Sequence, residues 1–171
     1  SLGCVTSAPC LEYIKNAEKD GMFFLTPSAS ADKVTSYENA FQMCFADSNQ
    51  GAAAAKLYNA DDKAEFGERK IGVLYKSDDD YSTGIYETFI NGFSAEEQAA
   101  IKTASFTSDD GDSPDFSAHI SSLKGCDFIF MPIYYTPASQ FIQKAKTTEA
   151  FSDTTIYFGC DGFDGIQSMK G

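Results

Sequence analysis

The sequence contains no tryptophan and a single histidine, His119, among its 171 residues. Basic residues are also few, since 13 Lys and Arg stand against 25 Asp and Glu and leave a net charge of −12. Phosphate groups repel such a charge, so the composition argues against nucleic acids and anionic membrane surfaces as partners. No apolar run approaches the roughly 20 residues needed to cross a bilayer. The first residues, SLGCVTSAPC, do not have the pattern of a signal peptide.

Several catalytic and cofactor motifs are missing as well. The sequence has no glycine-rich phosphate-binding motif and neither a GxSxG nor an HExxH motif. A catalytic triad would depend on His119 alone, which follows Phe116 at helical spacing and is predicted to be structural. The sequence therefore predicts no enzyme activity, no metal and no cofactor.

The cysteines do not have the spacing of a disulfide framework or of a zinc site. They are odd in number and too widely spaced for a zinc site. We therefore expect most of them to be small buried apolar residues. These residues are Cys4, Cys10, Cys44, Cys126 and Cys160.

Short apolar runs alternate with amphipathic segments of about 10 to 15 residues, a pattern typical of βαβ units. Apolar residues make up 43% of the chain, enough for a sizeable core. The predicted fold class is α/β, with a Rossmann-like, doubly wound parallel sheet. The predicted strands cover residues 22–25, 40–45, 70–75, 100–106, 126–131 and 154–159.

The predicted helices start at capping residues, in two cases followed by a proline. A first helix is expected over residues 8–19 and is ended by Gly21. The later helices are expected to start at Asp47 or Ser48, at Ser82 or Thr83, at Ser113-Pro114 and at Thr136-Pro137.

The first predicted strand, MFFL, runs straight into the hydroxyl-rich segment TPSAS at residues 26–30. An ordinary loop is one interpretation, because these residues form turns readily. The other interpretation is a binding loop at the carboxyl end of a strand, where open α/β sheets hold ligands. GCVTS, at the start of the chain, also looks like a strand end and leads into Thr6-Ser7. Other predicted strands are followed by similar groups, at Tyr81, Tyr134-Tyr135 and Asp161.

Strand ends of this kind share one edge of a doubly wound sheet. Hydroxyl groups and the free amides of helix starts suit a carboxylate, whereas Asp161 suits an ammonium group. Tyrosines supply walls that are apolar and still tolerate water. Together these groups predict a site for a zwitterion.

An acidic run, SDDDY at residues 77–81, follows the predicted strand IGVLY. It could indicate a magnesium or phosphoacceptor site, with Asp161 and Lys144 as further members. The spacing does not favour such a site, and a solvated acidic turn is the preferred interpretation.

Seven blocks of the sequence resemble, in order and at similar spacing, those of a known family. They are GCVTSAPC, FFLTPSASADKVT, FADSNQGAAAAKLY, KIGVLYKSDDDYSTGIYETF, DSPDFSAHISSLK, CDFIFMPIYYTPASQFIQKAK and YFGCDGFDG. From about residue 3 to 170 the chain resembles type I periplasmic solute-binding proteins of the branched-chain amino-acid-binding (Leu/Ile/Val-binding-like) type. These proteins are receptor components of ABC importers. The seven blocks together are specific to the family, though not to one ligand.

The resemblance implies two Rossmann-like lobes, joined by crossing segments, with the ligand in the cleft between them. It assigns residues 1–40 to a remnant of the first lobe and residues 41–47 to a crossing segment. Residues 48–165 would form a nearly complete second lobe, and residues 166–171 the start of a return segment. The family's strand–helix units before GCVTS have no counterpart here, so the chain resembles a middle portion of the family's sequence.

The resemblance also implies a set of ligand-binding residues. The serines and their loop match groups that bind the α-carboxylate and ammonium through hydroxyls and backbone, with a serine at residue 30 in place of the usual threonine. The two tyrosines match residues of the second lobe that close over the ligand. The aspartate matches an acid that faces the ammonium. The set is Ser7, Ser28, Ala29, Ser30, Tyr81, Tyr134 and Asp161.

The implied function is that of an extracytoplasmic receptor, periplasmic or a cell-surface lipoprotein. It would bind an amino acid or a similar small zwitterion and deliver it to the membrane permease of an ABC importer. Two alternatives stay open: a ligand-sensing domain of a signalling receptor with the same fold, and a flavodoxin-like α/β enzyme.

The start of the chain carries a further expectation. Two short strands do not make an independently stable sheet. We therefore expect residues 1–40 to dock onto a second copy, which gives a homodimer, or to pack against their own lobe. Ligand affinity of this chain alone is expected to be weak or absent, because half of the family's cleft has no counterpart in it.

Overall fold

The structure, a computed structural model, describes residues 1–111 and 113–169. Its strands are β1 Phe24–Thr26, β2 Ala40–Gln42, β3 Ile71–Lys76, β4 Lys102–Phe106, β5 Phe128–Met131 and β6 Ile156–Gly159. Its α-helices are α1 Ser7–Ala17, α2 Asp47–Leu57, α3 Lys63–Phe66, α4 Asp80–Asn91, α5 Ala95–Ala100, α6 Ser117–Ser122 and α7 Tyr135–Lys146. Short 3-10 turns follow β6 at Asp161–Phe163 and Ile166–Ser168.

A parallel sheet in the order β4-β3-β5-β6 forms the larger part of the molecule. β3 and β5 lie at its centre, with Val73 opposite Phe130. On one face Phe116 and Phe141, from the α6 and α7 regions, form a core, and on the other Phe89 of α4 does so. Because both faces are covered, all four residues of β5 are buried. The α/β fold class predicted from the alternating pattern is confirmed.

A second, smaller parallel sheet consists of β1 and β2, extended by a bridge between Leu2 and Leu25. α1 covers one face of it and buries Cys10 and Ile14 in a core with Phe24. Side chains that alternate with this core remain exposed on the other face, because no described element lies over them. We call this surface the uncovered apolar face; it consists of Leu2, Phe23, Phe41 and Met43.

Hydrogen bonds connect the segment between β1 and β2 to the start of α2. The Asp32 carboxylate accepts hydrogen bonds from the Ser48 amide (2.9 Å) and hydroxyl (2.6 Å). The Ser30 carbonyl accepts another from the amide of Asp47 (2.8 Å). The prediction that Asp47 or Ser48 caps α2 was therefore wrong. Ala46 occupies the N-cap position without a side-chain bond, and Asp32 supplies the cap from a distant part of the sequence.

The start of α4 also differs from the prediction. Asp79 is the N-cap residue, and its carboxylate accepts the amide of Ser82 over 3.1 Å. The predicted caps, Ser82 and Thr83, lie inside the helix. The Ser82 hydroxyl instead accepts a hydrogen bond from the amide of Lys76, the last residue of β3, over 2.8 Å.

The helix starts predicted at Ser113-Pro114 and at Thr136-Pro137 were also wrong. α6 begins at Ser117 and α7 at Tyr135. Pro137 consequently lies in the first turn of α7, where a missing amide hydrogen costs no intrahelical bond. α5 was not predicted at all, although its N-cap Ser94 and Glu97 form a capping box.

The predicted division of the chain into residues 1–40, 41–47, 48–165 and 166–171 stays a prediction. β2 crosses the first of these boundaries, because it runs from Ala40 to Gln42. Of the last range, residues 170 and 171 lie outside the described residues.

The cysteines are free thiols of differing burial, and the histidine contacts a backbone carbonyl. All five cysteines are free thiols, but only Cys10 and Cys126 are buried, so the expectation that most are buried was wrong. His119 lies on α6, where its Nε2 is 2.9 Å from the carbonyl oxygen of Ser105. Within residues 1–111 and 113–169, no group of three His, Cys, Asp or Glu side chains could hold a metal ion. In the same part of the chain, no helix has the length and apolarity to span a bilayer.

Candidate functional site

A cavity of about 330 Å³ lies where strand ends of the two sheets meet. It brings together six of the seven residues predicted from the sequence. Ala29 is the exception, since it is buried in its own loop and does not line the cavity. The six residues are Ser7, Ser28, Ser30, Tyr81, Tyr134 and Asp161.

A larger groove of about 650 Å³ lies between α2 and α4. Small side chains such as Ala52 and Ala55 line it, together with Thr88. It contains none of the predicted residues. The smaller cavity is the better candidate because it collects polar groups from both sheets at their strand ends.

Thr26 fixes the loop that follows β1. Its fully buried hydroxyl accepts the amides of Ser28 (3.2 Å) and Ala29 (2.9 Å) and donates to the carbonyl of Cys4 (3.1 Å). The Cys44 thiol donates to the carbonyl oxygens of both loop residues. Both backbone groups of Ala29 therefore have partners inside the protein, whereas the hydroxyl of Ser28 lies at the cavity.

Ser7 begins α1 at the opposite side of the same loop. Its hydroxyl oxygen accepts the amide of Ala31 over 3.1 Å, which leaves the hydroxyl hydrogen for another acceptor. Thr6, the N-cap residue, makes no side-chain capping bond. The positive end of the α1 dipole and these hydroxyls form an environment that favours a carboxylate.

Tyr81 and Tyr134 form the wall supplied by the larger sheet. Their rings stack with centroids 4.8 Å apart and an interplanar angle of 16°. Burial, and then the adjacent Asp161, raise the pKa of Tyr81 well above its ordinary value. Burial likewise raises the pKa of Tyr134, while the amide of Ser7 hydrogen-bonds its hydroxyl and opposes that shift. Both hydroxyls therefore stay protonated at neutral pH.

Asp161 lies in the turn after β6. Its Oδ1 accepts the Tyr81 hydroxyl over 2.6 Å, and its amide donates to Oε1 of Gln50 over 3.2 Å. Asp164 supplies a second carboxylate to the cavity. Among the described residues that line the cavity none is basic, so this end is negative and suits an ammonium group.

The site residues predicted by resemblance omit several that line the cavity. Thr6 and Tyr135 belong to strand ends noted in the sequence and could have been included on that ground. Val5 and Asp164 carried no such signal, because their placement depends on turns whose geometry is not encoded in a periodic pattern. The residues omitted are Val5, Thr6, Tyr135, Gly162 and Asp164.

The α/β fold brings hydroxyl groups, a helix start and a carboxylate around one cavity, a combination typical of ligand-binding sites. No family model matches the chain. A curated relative from Pseudomonas aeruginosa, the leucine-, isoleucine-, valine-, threonine- and alanine-binding protein, is 31% identical over 133 residues. That alignment covers 75% of this chain and 34% of the relative.

Solved structures give the same result. The branched-chain amino-acid substrate-binding protein LivJ of Streptococcus pneumoniae, in complex with isoleucine, matches with a TM-score of 0.75 and 26% identity. The match covers 95% of this chain and 44% of that one. The leucine-binding protein LivK of Thermotoga maritima matches with a TM-score of 0.69 and 27% identity, over 90% of this chain and 44% of its own.

The chain belongs to the family of type I periplasmic solute-binding proteins of the branched-chain amino-acid-binding type. It spans about a third of the length of the curated relative that it matches and less than half of these solved structures.

Proposed function

We propose that this chain is the ligand-binding part of an extracytoplasmic receptor of an ABC importer, and that its ligand is an amino acid or a similar small zwitterion. One observation carries the proposal. The cavity is lined by hydroxyls and the start of α1 from the region of the smaller sheet, and by the carboxylates of Asp161 and Asp164 from the segment after β6 of the larger sheet. A free amino acid carries a carboxylate, which suits the hydroxyls and the helix start, and an ammonium group, which suits the two carboxylates.

The residues of the cavity divide into three roles in this proposal. Ser7, Ser28 and Ser30 hold the carboxylate of the ligand, and Asp161 holds its ammonium group. Tyr81 and Tyr134 form the wall that closes against the ligand. Because the serines and the tyrosines belong to different sheets, a ligand that contacts both favours the closed arrangement of the two.

The partners proposed for this receptor are a small-molecule ligand and the membrane permease of the importer. The relatives are binding proteins, and we propose that this chain likewise binds its ligand without converting it. We also propose that two copies of the chain associate through residues 1–40. The uncovered apolar face, which begins in this range and continues into β2, supports this, since Leu2 and Phe23 are 70% and 57% exposed.

A titration of the isotope-labelled chain with the twenty amino acids tests the function. We expect one or a few of them, at millimolar concentration or below, to shift the amide signals of Ser7, Ala31 and Gly162. Asp161→Asn should weaken the response, and the same substitution at the exposed Asp153, at the opposite end of β6, should not. Failure of every amino acid to shift these signals would contradict the proposal.

A further inference from the structure

Asp47, the first residue of α2, carries a buried carboxyl group that the ligand-binding proposal does not use. Its side chain is 0% exposed, and Oδ2 has no hydrogen-bond partner. A Cβ atom built on Gly84 of α4 would lie 3.6 Å from this oxygen. Oδ2 is therefore packed against the backbone of a helix and has no access to water.

The ionisable groups around Asp47 are acidic or neutral. The three carboxyl groups among them disfavour a negative charge at Asp47, and no basic side chain of the described residues forms an ion pair with it. Desolvation by burial is the largest cause that raises the pKa of Asp47, to about 7, and a hydrogen bond from Ser30 opposes it. The surrounding groups are Asp32, Asp79, Asp161, Tyr134, Cys44 and Cys160.

Asp47 also connects the two ends of the candidate site. Its amide donates to the carbonyl of Ser30 over 2.8 Å. Its Oδ1 accepts Nε2 of Gln50 over 3.4 Å, and Oε1 of the same glutamine accepts the amide of Asp161 over 3.2 Å. A chain of hydrogen bonds therefore runs from the serine loop of the smaller sheet to the acidic turn of the larger one.

We propose that Asp47 is a positioning residue that acts as a neutral carboxylic acid and, through Gln50, keeps Ser30 and Asp161 in a fixed relation to each other. A neutral carboxyl tolerates an unpaired buried oxygen far better than a carboxylate does. Ionisation places a desolvated charge beside three other acids, and their repulsion disfavours the arrangement that the link maintains. The consequence for a ligand rests on the proposed function, whereas the link itself can be tested without any ligand.

The direction of the pH effect follows from linkage. The carboxyl holds its proton up to about pH 7 in the folded chain, but only up to the ordinary value of 3.8 when unfolded. The folded state therefore binds more protons in this interval, and Asp47 makes the chain less stable as pH rises through it. Above about pH 7 the loss is complete and this contribution no longer changes.

The first experiment follows the side-chain carboxyl carbon of Asp47 by NMR in the ligand-free chain as pH is varied. We expect a titration midpoint near 7, with the amide signals of Ser30 and Asp161 moving at the same midpoint. In Gln50→Ala, Asp161 should no longer follow the titration, whereas Ser30 should still do so. A midpoint below 5 overturns the proposal, and so does an Asp161 signal that follows Asp47 equally well without Gln50.

The second experiment measures the thermal midpoint as a function of pH. We expect the wild-type chain to lose roughly 5 °C between pH 5 and pH 8 through Asp47. Asp47→Asn, which is neutral at every pH, should remove that part of the dependence, and Asp153→Asn should retain it. An unchanged pH dependence in Asp47→Asn contradicts the proposal. If Asp47 behaves as expected and no amino acid binds, the proposed function fails while the positioning link stands.

Discussion

The hydroxyl of Tyr81 donates a 2.6 Å hydrogen bond to Oδ1 of Asp161, a residue 80 positions further along the chain. The same hydroxyl accepts the amide of Gly162 over 2.9 Å. A fully buried side chain of α4 thus holds the turn after β6, and with it the only predicted acidic group of the site. In the proposed function, the orientation of Asp161 towards a ligand depends on this contact.

Replacing Tyr81 by phenylalanine should destabilise the chain by about 1 to 3 kcal/mol, the usual cost of leaving a buried polar partner unsatisfied. The ring and its stacking on Tyr134 are retained, so the loss reports the hydroxyl alone. Urea unfolding measures the effect. Tyr135→Phe, at a ring that is 38% exposed, is the matched control and should stay within about 0.5 kcal/mol of the wild type. Equal stability of the two variants would show that the contact with Asp161 contributes nothing.

Asp161→Asn should weaken binding of a zwitterionic ligand by roughly 2 kcal/mol, about thirtyfold. This is at the lower end of the range for truncating a buried charge pair, because Asp161 is exposed before the ligand binds. Calorimetric titration of an amino acid identified as a ligand provides the measurement. An affinity equal to that of the Asp153→Asn control would remove Asp161 from the site.

Thr26→Val should destabilise the chain by about 1 to 3 kcal/mol and loosen the serine loop, because two amides and a carbonyl lose their partner. Valine has nearly the same shape, so packing changes little. Thr26→Ser restores the hydroxyl and should recover most of the loss. Chemical denaturation and amide exchange at Ser28 and Ala29 report the two effects. A serine variant no better than valine would attribute the loss to packing instead of hydrogen bonding.

The uncovered apolar face should make the chain self-associate at high micromolar concentration. Phe23 and Phe41 stack on it with ring centroids 5.1 Å apart. Phe41→Lys should weaken the dimer by roughly tenfold or more, since burial of such a side chain contributes about 1.5 to 3 kcal/mol. Leu57→Lys, at an exposed residue of α2, is the control. Light scattering that shows a strict monomer for the wild-type chain would contradict the proposed dimer.

The sequence by itself determined the order of the six strands, most of the helices between them and the fold class, whereas α5 was missed. Continuous apolar runs such as FIFM predict strands covered on both faces, and β5 is covered in this way. Polar residues directly after such strands predicted that Tyr134 and Asp161 would meet, because parallel strands of one sheet end at the same edge. Ser28 follows β1 of the separate smaller sheet, so this argument does not account for its place at the cavity. These inferences use only periodicity and strand direction, which depend on neighbouring residues.

Only the tertiary structure decided which partner each polar group takes. The cap of α2 comes from Asp32, 16 positions before the serine that it binds, and Asp161 is held by Tyr81 across 80 positions. Burial of Asp47 against Gly84 likewise has no local signature. Capping and propensity rules act within about one helical turn, whereas burial and desolvation depend on what the whole chain brings to one place.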